Sequence, residues 1–342
     1  MNKETKKTII NILVLFLISG LVLYFCLKDN FNETVDVLLS SNKLFILLGI
    51  LMIVVYWMIR GVSMYSITKK FKSDYKYKNA LRLVVETQFF HAITPFASGG
   101  QPYEIYSLKK ENISISDVTN ISIQNFIVYQ IALVLLGVFA FITNSFLNLY
   151  SNVSLLKNLI ILGFAINTFV IIALFALTFC KGLHKVVVKF IINVLSKMNV
   201  VKNKDEVIDK LEGNLSEFNV GAKKLLQDKK HFINMILINF ASLIILYMTP
   251  LILLYSIGDY SSFNLVEAVV TSAYVMLIGS FVPIPGGSGG LEYAFIKFYG
   301  NFLGSSKLTA IMILWRFLTY YLGLFTGAIL LALKKKGSTK QR

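Results

Sequence analysis

The chain has 342 residues, 56% of them hydrophobic and 15% charged, with a mean hydropathy of +0.67. Soluble domains carry about 25% charge, so an ordinary soluble fold is excluded. Disorder is excluded as well, because this much apolar surface does not stay solvated. The formal charge is +16, and its distribution along the chain ties it to a membrane rather than to nucleic acid.

An apolar run of about 20 residues is enough to cross a bilayer. In chain order the sequence predicts six full spans, at 8–27, 44–67, 118–143, 157–180, 231–257 and 308–333. The first run is followed by no small-x-small cleavage site, so it reads as a retained helix and not a signal peptide. Two further apolar stretches, 80–108 and 264–303, are each interrupted by Pro and Gly. The segment 181–230 is polar. Val186 to Leu195 suits an interfacial helix, and Asn203 with Glu206 opens an amphipathic helix through Val207, Leu211, Leu215, Phe218, Ala222 and Leu225. Pro250 predicts a kink in the fifth span. The two cysteines, Cys26 and Cys180, sit in apolar runs and read as small buried hydrophobes. No disulfide framework, metal site or cofactor motif is expected.

Lys and Arg counts set orientation. With the spans above, 27 of the 34 fall on one side and five on the other, while Arg60 and Arg316 lie within spans. The expectation is a multi-pass cell-membrane protein with both termini in the cytoplasm and basic flanks drawn to anionic lipid. Parity then makes each interrupted stretch begin and end on the same side, as a re-entrant hairpin of two half-helices. Non-helical backbone at that depth must be buried in protein or line a wet cavity. The alternative is that 264–282 spans fully and the glycine-rich segment after it is an ordinary loop.

The two interruptions share a pattern. Pro95-Phe96-Ala97-Ser98-Gly99-Gly100 and Pro285-Gly286-Gly287-Ser288-Gly289-Gly290 both read P-x-x-S-G-G, 190 residues apart, and an acid follows each, Glu104 and Glu292. Span, hairpin and span thus occur twice, about 44–143 and 231–333, in opposite orientation, within one integral-membrane domain covering 1–342. The fold class is all-α and polytopic, built as an inverted repeat. At such a tip Pro stops one half-helix and Gly lets the backbone turn. The next half-helix then offers free N–H groups to an anion, with hydroxyls from Thr94, Ser98 and Ser288. Glycines that only permit close helix packing are the alternative.

Charged groups within spans are functional candidates by default. Arg316 lies deep in the last span and should pair with Glu292 or Glu104, or hold a lipid phosphate. Arg60 can snorkel, Glu86 precedes the first tip by about two turns, and His91 is four residues before Pro95. Gln124, Asn125 and Gln130 read as interhelical hydrogen-bonding groups.

Thr94 through Pro102 with Ile105-Tyr106, Pro283 through Gly290 with Glu292, and Trp315-Arg316 with Tyr320-Tyr321 resemble three ordered signatures of the lysylphosphatidylglycerol synthase transmembrane, or flippase-like, family. The resemblance covers nearly the whole chain. It implies translocation of anionic or aminoacylated phosphatidylglycerol-type lipids between leaflets, linked to resistance to cationic peptides. It also adds Gln101 and Tyr320 to the candidate headgroup site formed by Thr94, Ser98, Gly99, Gly100, Glu104, Gly287, Ser288, Gly289, Gly290, Glu292 and Arg316. Many members carry an acid where Gln101 stands. The best-known members add a cytoplasmic lysyltransferase domain. This sequence runs only to Arg342, just past its last span, so a stand-alone member with membrane phospholipids as partners is expected, with an unlinked lipid synthase as a further partner. A membrane enzyme and a regulatory subunit of such a synthase are the competing readings.

Overall fold

The computed structural model describes residues 30–150, 154–179 and 227–339 continuously, with isolated residues elsewhere. The first apolar run, both cysteines and nearly all of the amphipathic segment before 227 lie outside the described residues. Helix accounts for almost every element. Helix α1 is Phe31–Ser40, α2 is Lys43–Lys69, α3 is Tyr77–Ile93, α4 is Gly100–Lys109, α5 is Ile115–Leu147 and α6 is Ser154–Phe179. Then follow α7 Lys229–Tyr247, α8 Thr249–Ser256, α9 Leu265–Gly279, α10 Gly290–Tyr299, α11 Ser305–Arg316 and α12 Leu322–Thr339. Short turns of helix at Pro95–Ala97 and Pro285–Gly287 form the two tips, and a wide π turn at Phe317–Tyr321 joins α11 to α12.

Among the described residues, five helical stretches are long and apolar enough to cross a membrane: Lys43–Lys69, Ile115–Leu147, Lys157–Ala176, Lys229–Ser256 and Ser305–Lys334. They coincide with five of the six expected spans, and the sixth, 8–27, falls on residues that are not described. The protein is therefore an all-helical, multi-pass membrane protein. Helix α9 has 15 residues, about 22 Å at 1.5 Å per residue, short of the about 30 Å hydrocarbon core. The chain turns back after it, and α10 packs against α9 just as α4 packs against α3.

Local chemistry explains the boundaries. The side chain of Ser114 accepts from the Asp117 amide at the start of α5, and Asn148 ends that helix in the left-handed conformation. Asn264 and Glu267 form a reciprocal capping box at α9. The fifth span breaks between Tyr247 and Thr249, as Pro250 predicts. Proline has no N–H for the Leu246 carbonyl, and the Thr249 hydroxyl takes that carbonyl instead at 2.7 Å.

Two successions, 43–147 and 229–339, run long helix, broken hairpin, long helix, and their contacts correspond. Helix α2 packs on α7, and the two tips touch each other. The first arm of each hairpin lies on the last helix of the other succession, α3 on α12 and α9 on α5. Glycine lets these helices approach closely: a Cβ at Gly327 of α12 would lie 2.8 Å from the Val85 carbonyl oxygen of α3, and, where α6 also packs on α9, one at Gly163 would lie 2.2 Å from the Leu277 carbonyl oxygen. Buried amides fix the register. Asn239 of α7 donates to Ser63 of α2 at 2.9 Å. Gln130 of α5 donates to Asn167 of α6, which donates to Ser280 at 2.7 Å. Asn125 of α5 donates to Glu104 of α4 at 3.3 Å, so the third-span amides Gln130 and Asn125 serve the interhelical role expected of them.

Gly163→Leu must push α6 away from the α9 backbone. Overpacking of this kind costs about 1–3 kcal/mol, so the melting temperature in detergent is expected to fall clearly. Gly304→Ala, with open space around its Cβ, is expected to leave it nearly unchanged.

Candidate functional site

The two tips are built from the same backbone. Thr94 and Ile284 enter at φ −119° and −114°. The next but one residue then crosses into the left-handed region, Phe96 at φ 54° and Gly286 at φ 66°. Ala97 and Gly287 follow at φ 51° and 62°. Tip two meets this demand with glycine. Tip one meets it with Phe and Ala, where a side chain costs roughly 1–2 kcal/mol per residue. Such strain collects at functional positions. The two tips then diverge: Ser98 has ψ −13° and Ser288 ψ 139°, and Gly99 enters α4 at φ −77°, whereas Gly289 enters α10 at φ 86°.

Neighbouring side chains over-determine tip one. His91 Nδ1 donates to the Ala97 carbonyl at 2.6 Å, and its ring fills the space where a Cβ on Gly100 would stand. The Thr94 hydroxyl donates to the Phe90 carbonyl at 2.7 Å and accepts from the Gly99 amide at 2.8 Å. Ser98 closes on the Pro95 carbonyl at 2.9 Å. His91 is thus a holder of the tip. Pro95 through Ser98 are exposed, with Phe96 at 58%. The helix that follows, α4, has no side-chain cap at its N-terminus.

Tip two is enclosed. Arg316 and Glu292 are 5% and 6% exposed, and Arg316 Nε lies 2.7 Å from Glu292 Oε1 as an ion pair rather than a linear hydrogen bond. Arg316 Nη2 donates to the Gly286 carbonyl at 3.1 Å and to Ser288 Oγ at 3.2 Å. The other oxygen of Glu292 accepts from the Gly289 amide at 2.7 Å, capping its own helix. A carboxylate therefore sits at the positive end of α10 and against a guanidinium. The Tyr320 ring lies under the guanidinium, 4.5 Å from its Cζ, and the Tyr320 hydroxyl donates to the Ala92 carbonyl at 3.0 Å. Tyr320 thereby ties the π turn after Arg316 to the helix that leads into tip one. Turns of this width recur at functional sites.

The structure thus brings together Thr94, Ser98, Gly99, Gly100, Gly287, Ser288, Gly289, Gly290, Glu292, Arg316 and Tyr320 at or beside the touching tips, with Gln101 in the first turn of α4. Of the two acids proposed for Arg316, Glu292 is its partner. Glu104 is turned to α5, where it accepts from Ser122 Oγ at 2.8 Å and Asn125 Nδ2 at 3.3 Å. Glu86 is engaged by Arg82 at 2.7 Å, the Tyr103 hydroxyl at 2.6 Å and Lys334 at 3.6 Å. Arg60 donates to Asn239 and lies 4.3 Å over the Tyr129 ring, fastening α2 to α7 and α5. The sequence reading missed the strained pair Phe96 and Ala97. The signal was there: they align with Gly286 and Gly287 in the repeat.

The fold and the paired tips define a polytopic membrane protein with two broken helices that meet end to end. The family described as the lysylphosphatidylglycerol synthase TM region matches residues 10–327, and the chain belongs to that family. It is also similar to a UPF0104 membrane protein of Archaeoglobus fulgidus, 22% identical over 304 residues that cover 86% of this chain and 88% of the relative.

Arg316→Ala leaves the Glu292 carboxylate buried without its cation, a loss worth about 3–5 kcal/mol. The double variant Arg316→Met, Glu292→Gln keeps the cap on Gly289 and removes both charges. It is expected to be markedly more stable than Arg316→Ala when unfolding is followed in detergent.

Proposed function

We propose that this chain moves phospholipids between the leaflets of the cell membrane, with the anionic headgroup held where the tips meet and the acyl chains left in lipid. The observation that carries this reading is the place of Glu292. It stands at a helix N-terminus and against a guanidinium, the position an anion takes. A headgroup phosphate entering there replaces Glu292 as the partner of Arg316. It also meets the uncapped amides of Gly100 and Gln101 across the contact between the tips. Thr94, Ser98, Ser288 and the Tyr320 ring complete the lining, and the strain at Phe96 and Ala97 holds tip one ready to move.

In this reading both hairpins are re-entrant and the two successions form an inverted repeat of the transporter kind. The short α9, the matching tips and the exchange of hairpin arms between the successions support it. Residues 8–27 supply a sixth span, and the 27-to-5 partition of Lys and Arg puts both termini in the cytoplasm. The lipid class is anionic or aminoacylated phosphatidylglycerol, and an unlinked synthase supplies the aminoacylated form.

The test is translocation of headgroup-labelled phosphatidylglycerol, and of its lysyl form, in proteoliposomes. Arg316→Lys keeps the charge and loses the planar fork, so it is expected to slow translocation about tenfold, a differential interaction of about 1.4 kcal/mol. Translocation unchanged in both Arg316→Lys and Glu292→Gln would sink the site, and none from folded wild-type protein with either lipid would sink the function.

A further inference from the structure

Three acids are buried among the hairpins: Glu86, Glu104 and Glu292. They differ in what faces them. Glu86 has two cations, Arg82 and Lys334, and Glu292 has Arg316. No Lys, Arg or His among the described residues forms an ion pair with Glu104. Its partners are the neutral Ser122 hydroxyl and Asn125 amide. An ionised carboxylate is costly inside a membrane unless it is paired or can take a proton.

The surroundings fit both protonation states. Ser122 and Asn125 donate to a carboxylate. Asn125 is 3% exposed, and its Oδ1 is buried without a hydrogen-bond partner. Rotation of that amide turns its oxygen toward Glu104, where it accepts from a protonated carboxyl.

The charged and titratable groups nearby are otherwise engaged. On α3 these are Arg82 with Glu86, and His91 on the Ala97 carbonyl. On α2 it is Arg60, whose charge reaches Glu104 without an ion pair while it bonds Asn239 and lies over the Tyr129 ring of α5, and on α5 it is Asp117, bonded to Ser114. On α12 it is Lys334, which reaches Glu86 and Ser107. On α4 itself Tyr103 bonds Glu86 and Lys109 lies at the helix end. Tyr75, in the turn before α3, is neutral at ordinary pH.

A polar cavity lies beside α4, near Glu104 but not lined by it. Of about 80 Å³ and lined by Asn79, Arg82, Glu86, Ser107 and Lys334, it has room for more than one water. It reaches Ser107, one helical turn from Glu104 on α4.

We propose that Glu104 is a proton-binding site that couples lipid translocation to proton movement. The inference rests on the transport reading above and supplies its energy source. Glu104 takes a proton from water entering through the cavity on one side of the membrane, becoming a neutral carboxylic acid. It returns that proton to water on the other side, becoming a carboxylate again. Helix α4 carries Glu104 one turn beyond the amides of tip one. Exchange of the Ser122 and Asn125 bonds therefore shifts the element that presents those amides to the headgroup.

The experiment imposes a gradient of about one pH unit across proteoliposomes holding labelled phosphatidylglycerol and reads the steady-state leaflet distribution. With one proton per lipid the asymmetry rises toward about tenfold, and Glu104→Gln is expected to abolish it. An infrared pH titration, independent of lipid movement, is expected to show a carboxylic-acid C=O band that is present in wild type and in Glu292→Gln and absent in Glu104→Gln. Translocation without asymmetry in wild type, equal asymmetry in Glu104→Gln, or a band unchanged in that variant would overturn the proposal. Absence of any lipid movement in wild type overturns the transport reading, and the infrared titration then decides proton binding by Glu104 alone. Should Glu104→Gln fail to fold, Ser122→Ala removes a donor to the carboxylate and is expected to raise the pH at which the band appears. An unmoved midpoint there counts against the site.

Discussion

The constraint on which the rest of the structure depends is the satisfaction of broken backbone in an apolar bundle. Each tip interrupts a helix, and the freed amides and carbonyls must find partners inside the protein. At tip two these are side chains that also carry charge: Arg316 takes the Gly286 carbonyl and Glu292 takes the Gly289 amide. At tip one they are neutral, with Thr94 on Gly99 and His91 on Ala97. Because the tips touch, each is the other's wall, and Tyr320 bonds across them to Ala92.

From that constraint the asymmetry of the pair follows. Tip two is unstrained and enclosed: its left-handed positions are glycines, a Cβ on Gly286 would collide with the Tyr320 ring, and its helix is capped by an ion-paired acid. Tip one is exposed, holds Phe96 and Ala97 in a conformation that disfavours them, and leaves α4 uncapped. The strained element is the one with less to lose when it moves. It is also the element that leads directly into the helix bearing Glu104.

Much of this is legible in the amino-acid sequence. The P-x-x-S-G-G repeat located both tips, because Pro and paired Gly have few other uses inside apolar stretches. The depth of Arg316 in its span called for a cavity, an acid or a lipid phosphate beside it, and the structure pairs it with Glu292. Five spans and the Pro250 break were readable from apolar run length and from the chemistry of proline. Two kinds of fact were not. Which long helix each hairpin arm lies on depends on the exchange between the two successions, α3 on α12 and α9 on α5, and a sequence does not state pairings between distant segments. Which carboxylate lacks a cation depends on helix rotation. Glu104 follows the first tip much as Glu292 follows the second, yet one accepts from a hydroxyl and an amide and the other pairs with a guanidinium.

That divergence is what gives two near-repeats different work. Adding the repeat offset of 190 to Glu104 lands on Ala294, and subtracting it from Glu292 lands on Pro102. The acids therefore lie two residues apart in the aligned hairpins, about 200° around a helix of 3.6 residues per turn. Glu292, in the first turn of its helix, reaches the backbone amide and the guanidinium at the tip. Glu104, in the next turn and on the opposite face, is carried away from the tip and into the polar seam of α5. A shift of two positions thus separates a carboxylate fixed in an anion's place from one left free to exchange a proton, while the backbone scaffold under both stays the same.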